Sequence, residues 1–169
     1  KANDKSNDLA KVFENAKKGK LNELKKVSLQ VGKPIKVMLF QKEKTIEDGF
    51  KRVGKPAIIE YKYDGFRVVI HKRGQSVTLF TRRLDNITKQ FPELVEAAKN
   101  NIKAKQAIID TEVIGIDKKT GDWVPFQKIS QRIKRKYGIE RMVKELPVQA
   151  CAFDLLYLNG KSLLNKPLK

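Results

Sequence analysis

The stretch that decides the fold is Glu60-Tyr61-Lys62-Tyr63-Asp64-Gly65-Phe66-Arg67. It follows an apolar run at residues 56–59, so the pattern predicts a strand that ends in an Asp-Gly turn. Alternate residues of a strand share a face, which would bring Glu60, Lys62 and Asp64 together. An amine held beside carboxylates next to a turn is a candidate nucleophile. The other interpretation is a strand end with a surface ion pair, and these residues alone leave both open.

This stretch resembles the first nucleotidyltransferase motif of ATP-dependent DNA ligases, Lys-x-Asp-Gly with a flanking Glu and Arg. Three later stretches resemble the second, third and fourth motifs of that family in the same order: Phe80–Thr88, Ile109–Val113 and Ala152–Tyr157. The amino-acid sequence of these motifs is most similar to that of archaeal and eukaryotic replicative ligases. The resemblance covers nearly the whole chain and is weakest over about the first 30 residues.

The order of the predicted elements indicates an α+β protein with a mainly antiparallel sheet and flanking helices. The resemblance implies the nucleotidyltransferase fold of DNA ligases and mRNA capping enzymes, which is ATP-grasp-like. Hydrophobic periodicity predicts helices that begin at Thr45 and Thr88 and at about 126 and 139. The predicted strands are 56–63, 66–72, 76–81, 106–117 and 148–157, the last of them buried.

Two segments differ in character. Residues 1–32 show helical spacing of apolar residues, and Gly32-Lys33-Pro34 breaks that pattern. By resemblance, residues 1–32 are the helical tail of a preceding DNA-binding domain plus its linker, and residues 33–169 are a partial adenylation domain.

Charge is the strongest signal in the composition. The chain has 169 residues, with 37 Lys and Arg against 19 Asp and Glu, a formal net charge of +18. This excess favours a polyanionic partner, nucleic acid or nucleotide, although lysine-rich surfaces also occur in heat-adapted proteins. A single cysteine, Cys151, excludes a disulfide within the chain and is expected to be a buried core thiol. The only histidine, His71, has no metal-ligand partner at the usual spacing, and no stretch is long and apolar enough for a membrane span.

Lys62 is the residue to which the resemblance gives the chemistry. It would attack the α-phosphate of ATP and form a lysyl-AMP phosphoramidate, with pyrophosphate leaving. The attacking amine must be neutral, so burial or neighbouring cations must lower the pKa of Lys62. Asp64 would orient this amine or bind a metal ion.

The nucleotide contacts are also implied by the resemblance. Arg67 and Arg82 would contact the ribose and the phosphates, for which the fixed fork of Arg is suited. Phe153 would stack on adenine, and Glu60 and Tyr61 would read the base edge. Taken alone, the arginines could be surface ion pairs and Phe153 an ordinary core aromatic.

Asp110 and Glu112 share a strand face by their spacing. Two such carboxylates can hold Mg²⁺ or a ribose hydroxyl, and the other interpretation is an exposed polar sheet face. Family members usually have Gly between these acids, where this chain has Thr111. Asp64, Asp110 and Glu112 are therefore the metal candidates, and Glu112 is also a nucleotide-binding candidate.

A basic helix follows the third motif. It resembles a family segment near the DNA backbone, which makes Lys128, Arg132, Lys134 and Arg135 the predicted DNA contacts. A solvated helix face is the competing interpretation. The family's fifth motif, Glu-Gly-φ-φ-φ-Lys with φ apolar, and its sixth, Lys-x-Lys, are expected beyond Tyr157, and the residues up to Lys169 do not match them. We therefore expect an incomplete domain, without the later OB-type domain, that does not seal nicks alone.

The function that the resemblance implies is ATP-dependent sealing of nicked double-stranded DNA, assisted by Mg²⁺, in replication, repair and recombination. The alternatives are an RNA ligase or capping-type nucleotidyltransferase and, in a different class, a catalytically silent nucleic-acid-binding module, which the charge suits equally. The implied protein is a monomer that contacts no membrane, with a sliding clamp as a partner of the full-length protein. It would act in the cytoplasm of an archaeon or the nucleus of a eukaryote.

Overall fold

A computed structural model describes residues 9–25 and 27–168. The first eight residues of the predicted helical tail, residue 26 and Lys169 lie outside the described residues. The described chain is organised around one antiparallel sheet, which confirms the predicted fold class. Its strands are β1 (Phe66–Arg73), β2 (Ser76–Thr81), β3 (Gln106–Ile116), β4 (Trp123–Val124), β5 (Val148–Leu158) and β6 (Lys161–Ser162). The order is β2-β1-β3-β5-β6, and β4 pairs with β3.

Within the described residues, six α-helices surround or precede the sheet: α1 (Leu9–Lys17), α2 (Leu21–Lys25), α3 (Ile46–Val53), α4 (Pro92–Asn101), α5 (Phe126–Ile133) and α6 (Ile139–Glu145). The predicted start of α3 is confirmed, because the Thr45 hydroxyl accepts from the Asp48 N–H at 3.1 Å, and Gly54 ends the helix at φ +85°. Among the described helices, none has the length and apolar content that a membrane span requires.

One face of the sheet carries the larger core. Val68 and Leu79 from the first hairpin are fully buried there against Phe91, Leu94 and Ile129, which come from the α4 and α5 side. The β1–β2 hairpin itself turns at Gly74, whose φ of +56° is easy only for glycine. Hydrophobic alternation along these strands therefore fixes which face the helices cover.

The opposite face is crossed by the segment that precedes α3, and we call residues 29–38 the strap. Leu29 and Ile35 are buried against Val69, Ile108 and Leu156. Residues on both sides of the predicted boundary at 32/33 thus pack in one cluster.

Polar side chains on β1 hold the strap at three points. Arg73 donates to the Val31 carbonyl at 2.9 Å, the Gly32 N–H donates to Nδ1 of His71 at 3.0 Å, and Arg67 donates to the Met38 carbonyl at 2.8 Å. Because these β1 residues alternate, they share one face, and the strap runs along β1 in the opposite direction. His71 is buried inside the strand, not at its end, and burial lowers its pKa to about 4.

The predicted strand over 56–63 is wrong. Residues 55–63 pair with no strand in the described part of the chain, and Ile59 and Tyr61 are 84 % and 83 % exposed. A strand needs a neighbouring strand to satisfy its backbone hydrogen bonds, and the apolar residues of this segment do not by themselves predict such a neighbour. The inference that Glu60, Lys62 and Asp64 share a face therefore loses its basis, because these residues do not form a strand.

Other predicted details also need correction. Thr88 does not cap α4; it begins a 3₁₀ turn, Thr88–Gln90, and its hydroxyl accepts from the Leu79 N–H at 3.0 Å. The helix predicted to begin at about 126 runs from Phe126 to Ile133. Strand β5 is half-buried for most of its length instead of fully buried, and Cys151 on it is also half-buried.

Candidate active site

A cleft of about 1720 Å³ is lined by residues from both sides of the sheet. Its walls come from the 60–67 stretch, the centre of β3, the bulged part of β5, the turn after β2 and the end of α5. The candidate residues that line it are Glu60, Tyr61, Lys62, Arg67, Arg82, Glu112, Lys134 and Phe153. Asp64, Asp110, Lys128, Arg132 and Arg135 do not line it.

Arg67 is fixed by a buried carboxylate. Its Nε donates to Oδ1 of Asp110 at 2.8 Å and its Nη2 to Oδ2 at 2.5 Å, while Asp110 is 1 % exposed. The hydrogen bond to Asp110 raises the pKa of Arg67, so the guanidinium stays charged. Burial raises the pKa of Asp110, and the guanidinium opposes that rise. Arg67 is thereby held rigidly at the wall of the cleft.

Glu112 faces Arg67 directly across the β1–β3 pair. The Gly65 N–H donates to its carboxylate, and burial raises the pKa of Glu112 while Lys62 and Arg67 act to lower it. Gly65 must be glycine, because a Cβ there would collide with the carbonyl oxygen of Val113. The Asp-Gly turn thus packs against β3 and brings the exposed Lys62 amine into the electrostatic range of Glu112.

Thr111 points to the other face of β3. Its hydroxyl donates to the Val68 carbonyl at 2.8 Å, and the side chain is fully buried. Asp110 and Glu112 therefore share the cleft face even though Thr111 stands where glycine is usual in the family.

Phe153 lies at an irregularity in β5. The β3–β5 register passes from Asp110 opposite Asp154 to Thr111 opposite Ala152, so Phe153 has no counterpart on β3. A β-bulge re-aims a side chain, and here the half-buried ring lines the cleft, with the Arg67 guanidinium 5.3 Å from its centroid. The ring is therefore presented at the site and is not an ordinary core aromatic.

Arg82 and Arg83 lie in a tight turn, not on a strand. The Thr81 N–H donates to the Asp85 carbonyl at 2.9 Å, and the Thr81 hydroxyl accepts from the N–H groups of Arg83 and Asp85. Leu84 takes a φ of +71° to close this turn. Since strand alternation does not apply, both arginines line the cleft, whereas the sequence pattern favoured only Arg82.

The predicted metal ligands do not form a cation site by themselves. Both oxygens of Asp110 bind Arg67, and Asp64 is exposed and outside the cleft. Within residues 9–25 and 27–168, no three His, Cys, Asp or Glu side chains converge as metal ligands. Glu112 is the remaining candidate, and one carboxylate fits a Mg²⁺ ion that arrives on nucleotide phosphates, since Mg²⁺ usually keeps waters and phosphate oxygens as ligands.

Arg132 is wrong as a predicted DNA contact. It is 1 % exposed, donates to the carbonyls of Leu146 at 2.7 Å and Gln90 at 3.0 Å, and pairs with Glu93 at 2.6 Å. Its guanidinium also lies 4.5 Å from the centroid of Phe91. The helix face that carries Arg132 therefore packs against the rest of the protein. The ion pair and the two backbone carbonyls take the place of the water that would otherwise solvate the guanidinium. Lys128, Lys134 and Arg135 are exposed.

Several cleft residues had no signal in the sequence that we used. Lys136 lies beyond the end of α5, and Leu39 and Phe40 follow the strap. Lys134 was predicted to contact DNA, and Lys136 was given no role, although both line the cleft.

Comparison with known proteins identifies the family. A family model described as "ATP dependent DNA ligase domain" matches residues 37–169. A DNA ligase of Nanoarchaeum equitans is 50 % identical over 162 residues, which is 96 % of this chain and 29 % of that protein. A DNA ligase of Methanococcoides burtonii is 43 % identical over 163 residues, with 96 % of this chain and 28 % of that protein covered.

A solved structure gives the same result for the fold. The ligase domain of M. tuberculosis LigD matches with a TM-score of 0.50 and 26 % identity, over 64 % of this chain and 32 % of that one. The chain spans less than a third of the length of the archaeal relatives named above. With most of its length matched by the domain model and its site residues gathered in one cleft, the chain belongs to the ATP-dependent DNA ligase domain family.

Proposed function

We propose that this chain is part of an ATP-dependent DNA ligase and that its cleft binds ATP for transfer of AMP to Lys62. The observation that carries the proposal is the convergence of Lys62, Arg67, Glu112 and Phe153 on one cleft from three separate strands and a turn. An amine, a fixed guanidinium, a carboxylate and a presented aromatic ring are the groups that a nucleotidyl transfer requires.

The first step is attack of the neutral Lys62 Nζ on the α-phosphorus of ATP. A nitrogen–phosphorus bond forms, the bond from that phosphorus to the bridging oxygen breaks, and pyrophosphate leaves with the electron pair. The amine loses one proton to solvent as the phosphoramidate forms. Protein groups contribute to such a transfer mainly by positioning and by neutralising charge, which are the roles of Arg67 and of the arginine turn.

Two further steps seal the nick. A 5′-phosphate oxygen of DNA attacks the lysyl-AMP phosphorus, which frees Lys62 and leaves AMP on the DNA end. The 3′-hydroxyl then attacks the 5′-phosphorus, AMP leaves, and a phosphodiester bond forms. Mg²⁺ bound with the phosphates would reduce the electrostatic repulsion that opposes each attack. Glu112 is the side chain best placed to hold this ion.

The substrate and setting are parts of the same proposal. Nicked double-stranded DNA fits the net charge of +18 and the exposed Lys128 and Arg135 outside the cleft. We also propose a monomer, with a sliding clamp as partner of the whole protein. The archaeal origin of the relatives favours the cytoplasm, because archaeal cells have no nucleus. The RNA ligase, capping and silent-binding alternatives are not favoured, because the matched family is the DNA ligase domain.

Nick sealing by the full-length polypeptide tests the proposal, with two substrates. One is a labelled duplex with a plain 5′-phosphate nick, and the other carries AMP on that phosphate beforehand. Lys62→Ala should fail on the first and still seal the second, because Lys62 acts only before the DNA is charged. Sealing of the plain nick by Lys62→Ala, or failure of the unmodified protein on both substrates, would contradict the proposal.

A further inference from the structure

We propose that Lys134 and Lys136, together with Arg82 and Arg83, form an anion site for the phosphate chain of the nucleoside triphosphate. We call these four residues the cation wall. The inference rests on the proposed ATP binding and deepens it, because it assigns residues to the phosphates beyond the one that Lys62 attacks.

The four side chains are free cations. All four line the cleft and are exposed, and the described residues offer their side chains neither an ion pair nor a hydrogen bond. Some other exposed basic residues do have carboxylate partners, as in the pairs of Lys51 with Asp48 and Arg141 with Glu145, so what distinguishes these four is their place in one cleft. Unpaired charges of one sign in a concave surface raise the local potential and attract a polyanion.

The arginine side of the wall is anchored by Thr81. This residue is buried, and its hydroxyl binds the N–H groups of Arg83 and Asp85 at 3.2 and 3.3 Å and the Asp85 carboxylate at 3.2 Å. A second tie is the hydrogen bond from the Leu84 N–H to the Thr81 carbonyl at 2.9 Å. The backbone that carries both arginines is therefore set before any ligand binds.

The lysine side is anchored by Arg132. Its guanidinium joins the end of α5 to the carbonyls of Gln90 and Leu146 and to the carboxylate of Glu93. Lys134 follows two residues later, directly after the helix. The buried Arg132 thus fixes the helix end from which Lys134 and Lys136 reach the cleft. Arg132 acts through these lysines and is a positioning residue.

The geometry favours a nucleotide over the backbone of a duplex. The cation wall shares its cleft with the Phe153 ring and the Lys62 amine, which suit a base and an α-phosphate. Lys128 and Arg135, exposed on the same basic segment, lie outside the cleft and are the residues a duplex could reach. A nucleoside triphosphate has a base for the ring, an α-phosphate for the amine and two further phosphates for the cation wall.

The test compares the affinities of ATP and AMP for the full chain by calorimetric titration. In the double variant Lys134→Gln and Lys136→Gln, ATP affinity should fall by about tenfold or more, and AMP affinity should change by less than about twofold. The control is Lys128→Gln, which removes an exposed lysine outside the cleft and should change neither affinity. Equal losses for ATP and AMP, no loss for ATP, or no measurable preference of the unmodified chain for ATP would overturn the proposal.

Two further arms separate the possible sources of phosphate. Inorganic tripolyphosphate should compete with ATP in the unmodified chain and compete less well in the double variant. If the wall instead bound DNA phosphates, the double variant would lose duplex affinity more than Lys128→Gln does while keeping its ATP affinity, and the proposal would fail. If the double variant loses ATP preference but Lys62 forms no AMP adduct, the anion site stands and the ligase chemistry does not.

The anchoring role of Thr81 is tested separately, by the ATP and AMP affinities of Thr81 variants. Thr81→Val keeps the shape but removes the hydroxyl, so ATP affinity should fall by about three- to tenfold with AMP affinity unchanged, and Thr81→Ser should restore it. A Thr81→Val variant with unchanged preference for ATP over AMP would show that the turn needs no such anchor.

Discussion

Arg67 binds both carboxylate oxygens of Asp110, a residue that is 1 % exposed and forty-three positions away in the chain. The same guanidinium donates to the Met38 carbonyl of the strap and lies over the Phe153 ring. One side chain therefore links the centre of β3, the strap and the bulge of β5. The carboxylate that the sequence offered as a metal ligand is in fact the anchor of this arrangement.

Asp110→Asn should lower the free energy of unfolding by about 2–3 kcal/mol. Removing one partner of a fully buried ion pair typically costs about 3–5 kcal/mol of stability. We expect a smaller loss here because the Arg67 side chain keeps some contact with water. Urea denaturation measures the change. Asp64→Asn, at an exposed site outside the cleft, is the control and should alter stability by less than about 0.5 kcal/mol. Similar stabilities for both variants would remove the anchoring role of Asp110.

Phe153→Leu should weaken ATP binding by about tenfold while stability falls by no more than about 1 kcal/mol. The ring is half-buried at the bulge, so its loss removes a stacking surface and leaves no deep cavity. Calorimetric titration and thermal melting report the two quantities. Phe91→Leu, in the core of the opposite face, should do the reverse, with a lower melting temperature and little change in affinity per folded molecule.

Stability should depend on pH through His71. Burial lowers the pKa of His71 to about 4, below the value of about 6.5 expected for an unfolded chain. The unfolded state therefore takes up a proton first as pH falls, so the stabilisation is complete above about pH 6.5 and is lost progressively down to about pH 4. The loss should reach about 3 kcal/mol.

The His71→Gln variant isolates this effect. Its amide oxygen can still accept from the Gly32 N–H, but it does not titrate between pH 4 and 6.5. Unfolding free energies of the two proteins should converge as the pH is lowered. Parallel pH profiles for His71→Gln and the unmodified chain would show that His71 is not held neutral by the fold.

DNA binding should be independent of sequence and strongly weakened by salt, because phosphate contacts dominate when no base-reading element is present. Lys128→Gln and Arg135→Gln should each reduce the slope of log affinity against log salt by about 1. Arg132→Met should leave that slope unchanged and instead destabilise the fold, since Arg132 is buried. Fluorescence anisotropy over a salt series decides between the two behaviours.

The order of the motifs predicted which residues lie together better than strand periodicity predicted their local geometry. Lys62, Arg67, Arg82, Glu112 and Phe153 were all placed in one site by motif order, and all line the cleft. The argument from strand alternation at residues 56–63 failed, because periodicity describes a face only where a neighbouring strand exists. The bulge at Phe153 and the turn at Arg82 depend on register and hydrogen bonds between distant residues, which no local pattern records.

The burial of Arg132 was also not predicted from the sequence. Arg132 and Lys134 are two positions apart in one basic run, yet the first is buried and the second lines the cleft. The partners that bury Arg132 are Glu93 and the Gln90 and Leu146 carbonyls, which lie 39, 42 and 14 residues away. A charge count cannot distinguish a solvated arginine from one that joins three segments.

The central claim is that Lys62 carries AMP, and the most direct test is the intact mass of the full-length protein after incubation with ATP and Mg²⁺. The account predicts a mass increase of one AMP that maps to the peptide with Lys62 and that disappears on addition of pyrophosphate, which reverses the transfer. Lys62→Ala should show no increase, and neither should Lys62→Arg, since a guanidinium stays protonated and is a poor nucleophile. An undiminished adduct in either variant, or an adduct that maps to another residue, would contradict the account.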